Sequence, residues 1–234
     1  MEKLTAILAI ETSTSLASAA LLVGSHSWVR ELNGVETHSQ GILPALQDLL
    51  AQAGLALSDC DAIAFGCGPG AFTGIRTACG IVQGLAFGAD LPVVPVGSLL
   101  VMAMAAREQN DGTDFVCILD ARMNEVYCAR YRWLAGVWQE VVAPALLKLE
   151  DLVIDQAQTC CLVLGQGVLL PAAYADCTHL ALMPHARQTA LAGLAAYQAG
   201  LTLTAELAQP LYLRNKIALT TAERLAQKNA PREG

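Results

Sequence analysis

The chain is short of positive charge. Of its 234 residues, 14 are Lys or Arg and 21 are Asp or Glu, so the formal net charge is −7. Clustered basic side chains give proteins their affinity for nucleic-acid backbones, so this balance argues against a broad nucleic-acid surface. One local exception is a basic C-terminus, which we expect to be a solvated tail. Its basic residues are Arg214, Lys216, Arg224, Lys228 and Arg232.

Metal-binding patterns are also missing. The sequence contains no C-x-x-C, no H-x-x-x-H and no H-E-x-x-H, and its four histidines lie far apart in the chain. Structural and catalytic zinc sites usually need ligands at such close spacings. The sequence therefore predicts no metal ion and no other cofactor.

Membrane and export signals are not found either. The apolar segment Leu91–Ala106 contains Pro92 and Pro95 and is too short to span a bilayer as one helix. The first residues lead directly into a strand-like pattern, without the charged and apolar regions of a signal peptide. We therefore expect a cytoplasmic protein without a membrane anchor.

Cysteine is plentiful, with eight residues, but these cysteines have no regular spacing and mostly lie within apolar runs. Free cysteine behaves as a small apolar residue in protein cores. The pattern favours buried free thiols over a disulfide framework.

The chain alternates short apolar runs with helical patterns. Leu4–Ile10 and Leu16–Val23 flank a polar turn and predict two strands joined by that turn. Apolar residues at helical spacing predict a helix from about Ser39 to Ala53. Further predicted elements are strands at 27–32, 61–68 and 92–96 and helices at 72–89 and 98–107.

The opening pattern recurs about 110 residues later. Phe115–Leu119, an acidic turn, Glu125–Tyr131 and a strand near Val137–Val142 repeat the order of strand, acidic residue, turn and strand. A polar stretch before the repeat predicts a boundary between domains 1–109 and 110–234. The two similar halves indicate a duplicated α/β domain. The second half is less regular, with a predicted helix at 149–156, a strand at 161–165 and a helix at 187–199.

A glycine-rich corner follows the strand at 61–68. It runs Gly68-Pro69-Gly70-Ala71-Phe72-Thr73-Gly74-Ile75-Arg76. Glycine permits positive φ and close backbone approach, and arginine offers a planar fork for a carboxylate or phosphate. The corner can therefore either hold an anion or let two elements pack closely, and the residues alone leave both open.

Two acidic turns occupy matching places in the two halves. The first is Glu11-Thr12-Ser13-Thr14, and the second begins at Asp120. Actin-like kinases place an acidic residue and a glycine-containing turn at this point to hold metal and phosphate. Here Glu11 is longer than Asp, Ser13 stands where glycine would admit a phosphate, and the second turn has no glycine. We therefore expect degenerate phosphate turns, with Asp120 paired to Arg122 within its own turn.

Several motifs together resemble the TsaB (YeaZ) family. The match runs in order over nearly the whole chain and is weakest from about 145 to 205. Its motifs are Ile7-Leu8-Ala9-Ile10-Glu11-Thr12-Ser13-Thr14, His38-Ser39-Gln40 with Leu43-Pro44, the corner from Gly68 to Arg76, Leu119-Asp120-Ala121-Arg122-Met123-Asn124-Glu125-Val126-Tyr127 and Pro210-Leu211-Tyr212-Leu213-Arg214.

The resemblance implies a two-domain actin-like ATPase fold, of the ASKHA or ribonuclease H-like type, with a degenerate nucleotide site. It implies a non-catalytic scaffold that partners the TsaD paralogue and the TsaE ATPase. Together these proteins install threonylcarbamoyl on the tRNA adenosine beside the anticodon. We further expect a homodimer when the chain is alone, and contact with tRNA only through the complex.

The glycines of the helix at 72–89 suggest where a partner would bind. Each costs about 1 kcal/mol relative to alanine in a helix, so a packing reason is expected. We expect two helices to meet the equivalent helices of TsaD through an apolar and small-residue face. That face would comprise Leu43, Leu46, Leu50, Ala78, Gly80, Gly84 and Gly88. The alternative is that both helices pack only on their own sheet.

In this interpretation the glycine corner is retained architecture. It begins the helix at Phe72 and directs its small-residue face at a partner, and Arg76 fixes the corner through a local carboxylate. Two other functions remain as alternatives. One is an actin-like small-molecule kinase, which predicts nucleotide hydrolysis by this chain alone. The other is a glycopeptidase-like protein of the M22 type, which requires metal ligands.

Overall fold

A computed structural model describes residues 4–32, 38–154, 160–174 and 177–214. The described residues form two five-stranded mixed sheets. The strands of the first sheet are β1 (Ala6–Glu11), β2 (Ala17–Val23), β3 (His26–Leu32), β4 (Ala62–Gly68) and β5 (Val93–Gly97). Their spatial order is β3-β2-β1-β4-β5, with β1, β2 and β3 antiparallel and β4 and β5 added in parallel.

The second sheet repeats this topology. Its strands are β6 (Asp114–Arg122), β7 (Glu125–Leu134), β8 (Val137–Lys148), β9 (Cys161–Leu164) and β10 (His179–Ala181). Their order is β10-β9-β6-β7-β8, so three antiparallel strands are again followed by two parallel ones. The predicted duplicated α/β fold is therefore confirmed.

In the described ranges, four α-helices surround the sheets. They are α1 (His38–Ala53), α2 (Phe72–Ala89), α3 (Ser98–Arg107) and α4 (Ala186–Gln198). Helices α1 and α2 close one face of the first sheet, where Leu49 and Val82 pack on Phe65. Helix α4 closes the opposite face through residues such as Ala190.

Helix α3 follows the strands of the first sheet but packs on the second, and α4 follows the strands of the second sheet but packs on the first. Met102 of α3 shares a core with Phe115 of the second sheet, whereas α4 follows the second sheet and covers the first. Residues 109 and 110 separate the strands of the first sheet from those of the second along the chain. Helix α4, which follows these residues, nevertheless packs on the first sheet. The domain boundary at this position stays a prediction.

The second half departs from the predicted elements in two places. The helix predicted at 149–156 is wrong, because only a single 3-10 turn forms at Leu149–Asp151, and residues 155 and 156 lie outside the described part. Beyond this turn Leu152 and Ile154 are buried under the second sheet without helical structure. Strand β10 was not predicted, because its three residues are too few to show a period.

The cysteines are free thiols, as predicted. Five of them are buried, while Cys128, Cys160 and Cys177 are only partly buried. Burial raises the pKa of Cys67 to about 12 and that of Cys117 well above its usual value. In the part of the chain that the structure describes, no helix is both long and apolar enough to cross a membrane.

Candidate functional site

A cleft of about 680 Å³ lies between the two halves of the molecule. Both acidic turns and the glycine corner line it, so the structure brings these separately predicted features together. The lining residues among them include Ser13, Thr14, Gly70, Phe72 and Asp120. Residues 211–214 line a further part of the wall.

The glycine corner packs directly on the first acidic turn. Ala71 donates its backbone N–H to the carbonyl of Ser13 at 2.6 Å, and the Thr12 hydroxyl donates to the carbonyl of Gly74 at 2.8 Å. A Cβ on Gly70 would overlap Ser13 O, and a Cβ on Gly74 would overlap Thr12 O. These two glycines are needed because backbone meets backbone, which favours close packing over an anion cradle.

The corner also contacts the backbone of Leu211, in the last described part of the chain. Gly68 has a φ of +110°, a conformation that side chains rarely tolerate. Leu211 donates its backbone N–H to Cys67 O at 2.8 Å, and a Cβ on Gly68 would lie 3.2 Å from Leu211 O. The corner is therefore enclosed by this chain's own backbone on two sides.

Glu11 is sealed inside the protein. Its side chain is 0% exposed, and its Oε1 accepts the backbone N–H of Ser13 at 2.7 Å. Among the described residues, Oε2 has no hydrogen-bond partner. The carboxyl group lies over Gly66, where a Cβ would overlap it.

Burial has a large effect on the chemistry of Glu11. Removal from water raises the pKa of Glu11, and groups of Ser13 and Ser98 offset only part of this rise. Burial therefore shifts the equilibrium of this carboxyl group towards its protonated form, which is a poorer ligand for a cation than the carboxylate. The acid of the first turn is turned inward and does not reach the cleft.

The acid of the second turn is neutralised locally. Asp120 Oδ1 accepts the backbone N–H of Arg122 at 2.8 Å, and the Arg122 guanidinium lies 3.3 Å from Asp120 Oδ2. The predicted ion pair within the turn is therefore confirmed. Arg122, Met123 and Asn124 all have positive φ, between 57° and 65°, although none is glycine.

Arg76 does not fix the corner through a carboxylate, so this prediction is wrong. Its Nε donates to the Tyr212 hydroxyl at 2.6 Å, and its guanidinium lies 3.5 Å from the centroid of the Phe72 ring. The rings of Phe72 and Tyr212 lie 5.6 Å apart, so the arginine completes an aromatic cluster. A tyrosine 136 residues away cannot be identified as the partner from local spacing.

Arg214 ties the C-terminal segment to the second half. Its Nη2 donates to Ala121 O at 2.9 Å and lies 2.5 Å from Glu125 Oε2. Arg214 is thus anchored, although we expected it in a solvated tail. The other four basic residues of that predicted tail lie outside the described residues.

The predicted partner face is only partly available. Gly80, Gly84 and Gly88 have no neighbouring atom within 4 Å of an added Cβ, and Leu43 is 42% exposed. Leu50 is partly buried against the core of the first sheet. Leu46 and Ala78 are 2% and 0% exposed and belong to that core, so the expectation that they meet a partner is corrected.

Residues that could hold a metal ion do not cluster in the described ranges, where no three His, Cys, Asp or Glu side chains come together in this way. His179 Nδ1 instead lies 3.2 Å from Cys177 O, and His185 Nε2 lies 3.2 Å from Glu31 Oε1. His185 caps α4 by accepting the backbone N–H of Arg187 at 3.2 Å.

Comparison with known proteins identifies the family. A family model described as "TsaD: tRNA N6-adenosine threonylcarbamoyltransferase" matches residues 30–160. The tRNA threonylcarbamoyladenosine biosynthesis protein TsaB of Haemophilus influenzae is 38% identical over 232 residues, which cover 93% of this chain and 96% of that protein. The chain belongs to the TsaB (YeaZ) family. The Escherichia coli (strain K12) protein of the same name is also 38% identical, over 91% of this chain and 96% of its own length.

A solved structure of the same family agrees. YeaZ from Pseudomonas aeruginosa has a TM-score of 0.79 and 37% identity, and the match covers 89% of this chain and all of that one. The resemblance expected from the sequence motifs is therefore confirmed over nearly the whole chain, including the segment from 145 to 205 in which the motifs are weakest.

Proposed function

We propose that this chain is a non-catalytic scaffold subunit in the biosynthesis of tRNA threonylcarbamoyladenosine, acting as the partner of a TsaD paralogue. The family's name supports the pathway. The observation that supports a scaffold over an enzyme is the packing of the glycine corner on residues 12 and 13, which leaves Glu11 buried. An actin-like kinase needs this corner and this acid free for phosphate and metal.

The partner-facing surface is the exposed side of α2 together with the neighbouring part of α1. Gly80, Gly84 and Gly88 recur every four residues and so lie on one side of α2, where they allow a second helix to approach closely. Leu43 adds exposed apolar surface from α1, and Phe87 of α2 is 74% exposed. An exposed aromatic side chain beside small residues is typical of the residues that dominate binding energy.

The remaining expectations complete the proposal. The chain forms a homodimer through the same face when TsaD is absent, and the TsaE ATPase joins the complex. The chain meets tRNA only within that complex, in keeping with its net charge of −7. The assembly works in the cytoplasm.

Reconstitution of tRNA modification from purified components tests the proposal. Modification should require this chain together with TsaD and TsaE, and the chain alone should not hydrolyse ATP. Full modification without this chain would overturn the scaffold role. Hydrolysis by the isolated chain that is lost in Glu11→Ala would favour a kinase-like activity instead.

The interface is tested separately by a bulky substitution. Gly84→Trp places a large ring on the open face of α2 and should abolish co-elution with TsaD in size-exclusion chromatography. The matched control is Ala195→Trp on an exposed position of α4, which covers the other face of the first sheet. Leu46→Glu is unsuitable because Leu46 is buried and its loss would unfold the chain. Undiminished binding by Gly84→Trp would exclude this face.

A further inference from the structure

Met123, in the second acidic turn, is the most exposed methionine that the structure describes. It is 75% exposed, whereas Met102 is 0% exposed and Met104 and Met183 are partly buried. Met1 lies outside the described residues. Oxidation of methionine to its sulfoxide requires that the oxidant reach the sulfur atom, so Met123 is more accessible to an oxidant than the other three.

The turn holds Met123 in a defined conformation. Met123 has a φ of +57°, and hydrogen bonds fix the residues on both sides of it. Arg122 donates its backbone N–H to Asp120 Oδ1 at 2.8 Å, and Leu149 donates its backbone N–H to Asn124 O at 3.1 Å. A hydrogen-bonded turn therefore presents the thioether to solvent.

The sulfur atom also has a hydrogen-bond donor. Arg214 Nη1 donates to Met123 Sδ at 3.3 Å. Nη2 of the same guanidinium donates to Ala121 O at 2.9 Å and lies 2.5 Å from Glu125 Oε2. Because the guanidinium is planar and rigid, these contacts of Nη2 fix the direction in which Nη1 approaches the sulfur atom.

This contact makes the two sides of the sulfur atom unequal. A thioether sulfur carries two lone pairs, and addition of oxygen to one or the other gives one of two sulfoxide epimers. The N–H of Arg214 engages one lone pair of Met123. The other lone pair therefore remains open to an oxidant.

We propose that Met123 is an oxidative modification site at which Arg214 directs a peroxide to one lone pair of the sulfur atom, so that one sulfoxide epimer predominates. The open lone pair attacks one oxygen of hydrogen peroxide, an S–O bond forms, and the O–O bond breaks. The hydroxide that leaves takes the proton of the transferred hydroxyl group and becomes water. Sulfur loses two electrons, and hydrogen peroxide is reduced to water.

The modification is reversible and changes the surface beside the cleft. Asp120 and Arg122 of the same turn line the cleft, so oxidation places a polar, chiral sulfoxide next to that wall. Methionine sulfoxide reductases A and B each reduce one epimer. One of the two reductases alone therefore restores most of the oxidised Met123.

The test treats the full chain with a limiting amount of hydrogen peroxide and digests it with trypsin. Cleavage after Arg122 and Arg130 releases peptide 123–130, in which Met123 is the only methionine. Sulfoxide should appear in this peptide before it appears at Met102, Met104 or Met183. One purified reductase should then reduce about three times as much of the peptide as the other, a ratio that a hydrogen bond of modest strength produces.

Matched variants and a free peptide identify the cause of the excess. Arg214→Ala should give nearly equal epimers, as should synthetic peptide 123–130 oxidised in the same way. Arg122→Gln removes a guanidinium that contacts Asp120 in the same turn, and should keep the excess. Its peptide 108–130 still contains Met123 as its only methionine.

Three results would overturn the proposal. The first is equal amounts of the two epimers in the parent chain. The second is an undiminished excess in Arg214→Ala, since the direction would then not come from the guanidinium. The third is oxidation of Met102, Met104 or Met183 before Met123.

Discussion

The two acidic turns occupy equivalent places in the duplicated fold but are neutralised in different ways. Glu11, at the end of β1, is fully buried, and its carboxyl group lies over Gly66. Asp120, near the end of β6, faces the cleft and is held by the backbone and guanidinium of Arg122. Glu11 is therefore kept from the cleft by burial, whereas Asp120 is paired within its own turn.

This difference explains why the two turns tolerate change unequally. The first turn is packed between the ends of β4 and α2, so any added atom meets backbone. The second turn borders the cleft, and three residues other than glycine adopt positive φ in it. The first turn is thus packed tightly against the glycine corner, and the second is a surface turn that borders the cleft.

The largest expected effect on stability comes from adding one methyl group where the glycine corner packs on the first acidic turn. Gly74→Ala places a Cβ into Thr12 O and should lower the free energy of unfolding by about 3 kcal/mol, since backbone cannot move aside cheaply. Gly84→Ala in the same helix meets no neighbouring atom and should raise it by up to about 1 kcal/mol. Urea denaturation of both variants measures the contrast, and equal effects would show that the corner is not tightly packed.

A smaller effect distinguishes the buried acid from the exposed one. The pKa of Glu11 is raised in the folded state above its ordinary value of 4.5. The folded chain therefore keeps a proton that the unfolded chain releases, and stability falls as pH rises above about 4.5, by at most about 1.4 kcal/mol per pH unit. Glu11→Gln removes this loss, so the free energy of unfolding of the variant should increase relative to that of the parent protein as pH rises.

Denaturation of Glu11→Gln and the parent chain across the acidic to neutral range checks this prediction. Since other groups titrate equally in both proteins, the difference between the two curves isolates Glu11. If the two curves run parallel, or if the variant becomes less stable than the parent protein as pH rises, Glu11 is charged in the folded state and its charge is stabilised there.

A third prediction concerns the segment that connects both turns. Arg214→Ala removes the hydrogen bond to Ala121 O and the ion pair with Glu125, and should lower the free energy of unfolding by about 1 kcal/mol. Arg214→Lys retains the charge but not the planar fork and should recover only part of this loss. Thermal unfolding of both variants is the measurement, and full recovery by lysine would reduce the role of Arg214 to its charge.

The smallest effect is expected at the second turn. Asp120→Asn keeps an oxygen for the Arg122 amide and loses only an ion pair whose arginine side chain is 89% exposed. Exposed pairs contribute about 0 to 1 kcal/mol, so the change in unfolding free energy should fall below about 0.5 kcal/mol. A loss of unfolding free energy as large as that of Gly74→Ala would mean that the second turn is as important for stability as the tightly packed first turn.

Local patterns sufficed for much of the fold. Helix α2 was predicted at its observed bounds because the glycine corner precedes it and the strand predicted at 92–96 follows it. The duplication was visible because an acidic residue ends an apolar strand in each half. Both features are encoded within about twenty residues, where the period of side-chain burial is legible.

Long-range contacts were beyond the same reasoning. The joint between Gly74 and Thr12 and the contact of Arg76 with Tyr212 connect residues 62 and 136 positions apart. Leu46 and Ala78 were expected on a partner-facing surface because helical spacing identifies an apolar side but not what covers it. The open positions at Gly80, Gly84 and Gly88 become distinguishable from them only once the sheet beneath α2 is in place.

Calorimetric titration of the full chain with ATP and magnesium tests most directly whether the glycine corner and both acidic turns are closed to a nucleotide phosphate. Because Glu11 is buried, the corner is filled by residues 12 and 13, and Asp120 is held by Arg122, the account predicts no saturable heat of binding to the isolated chain. Saturable binding of one nucleotide per chain that is lost in Glu11→Ala would contradict it.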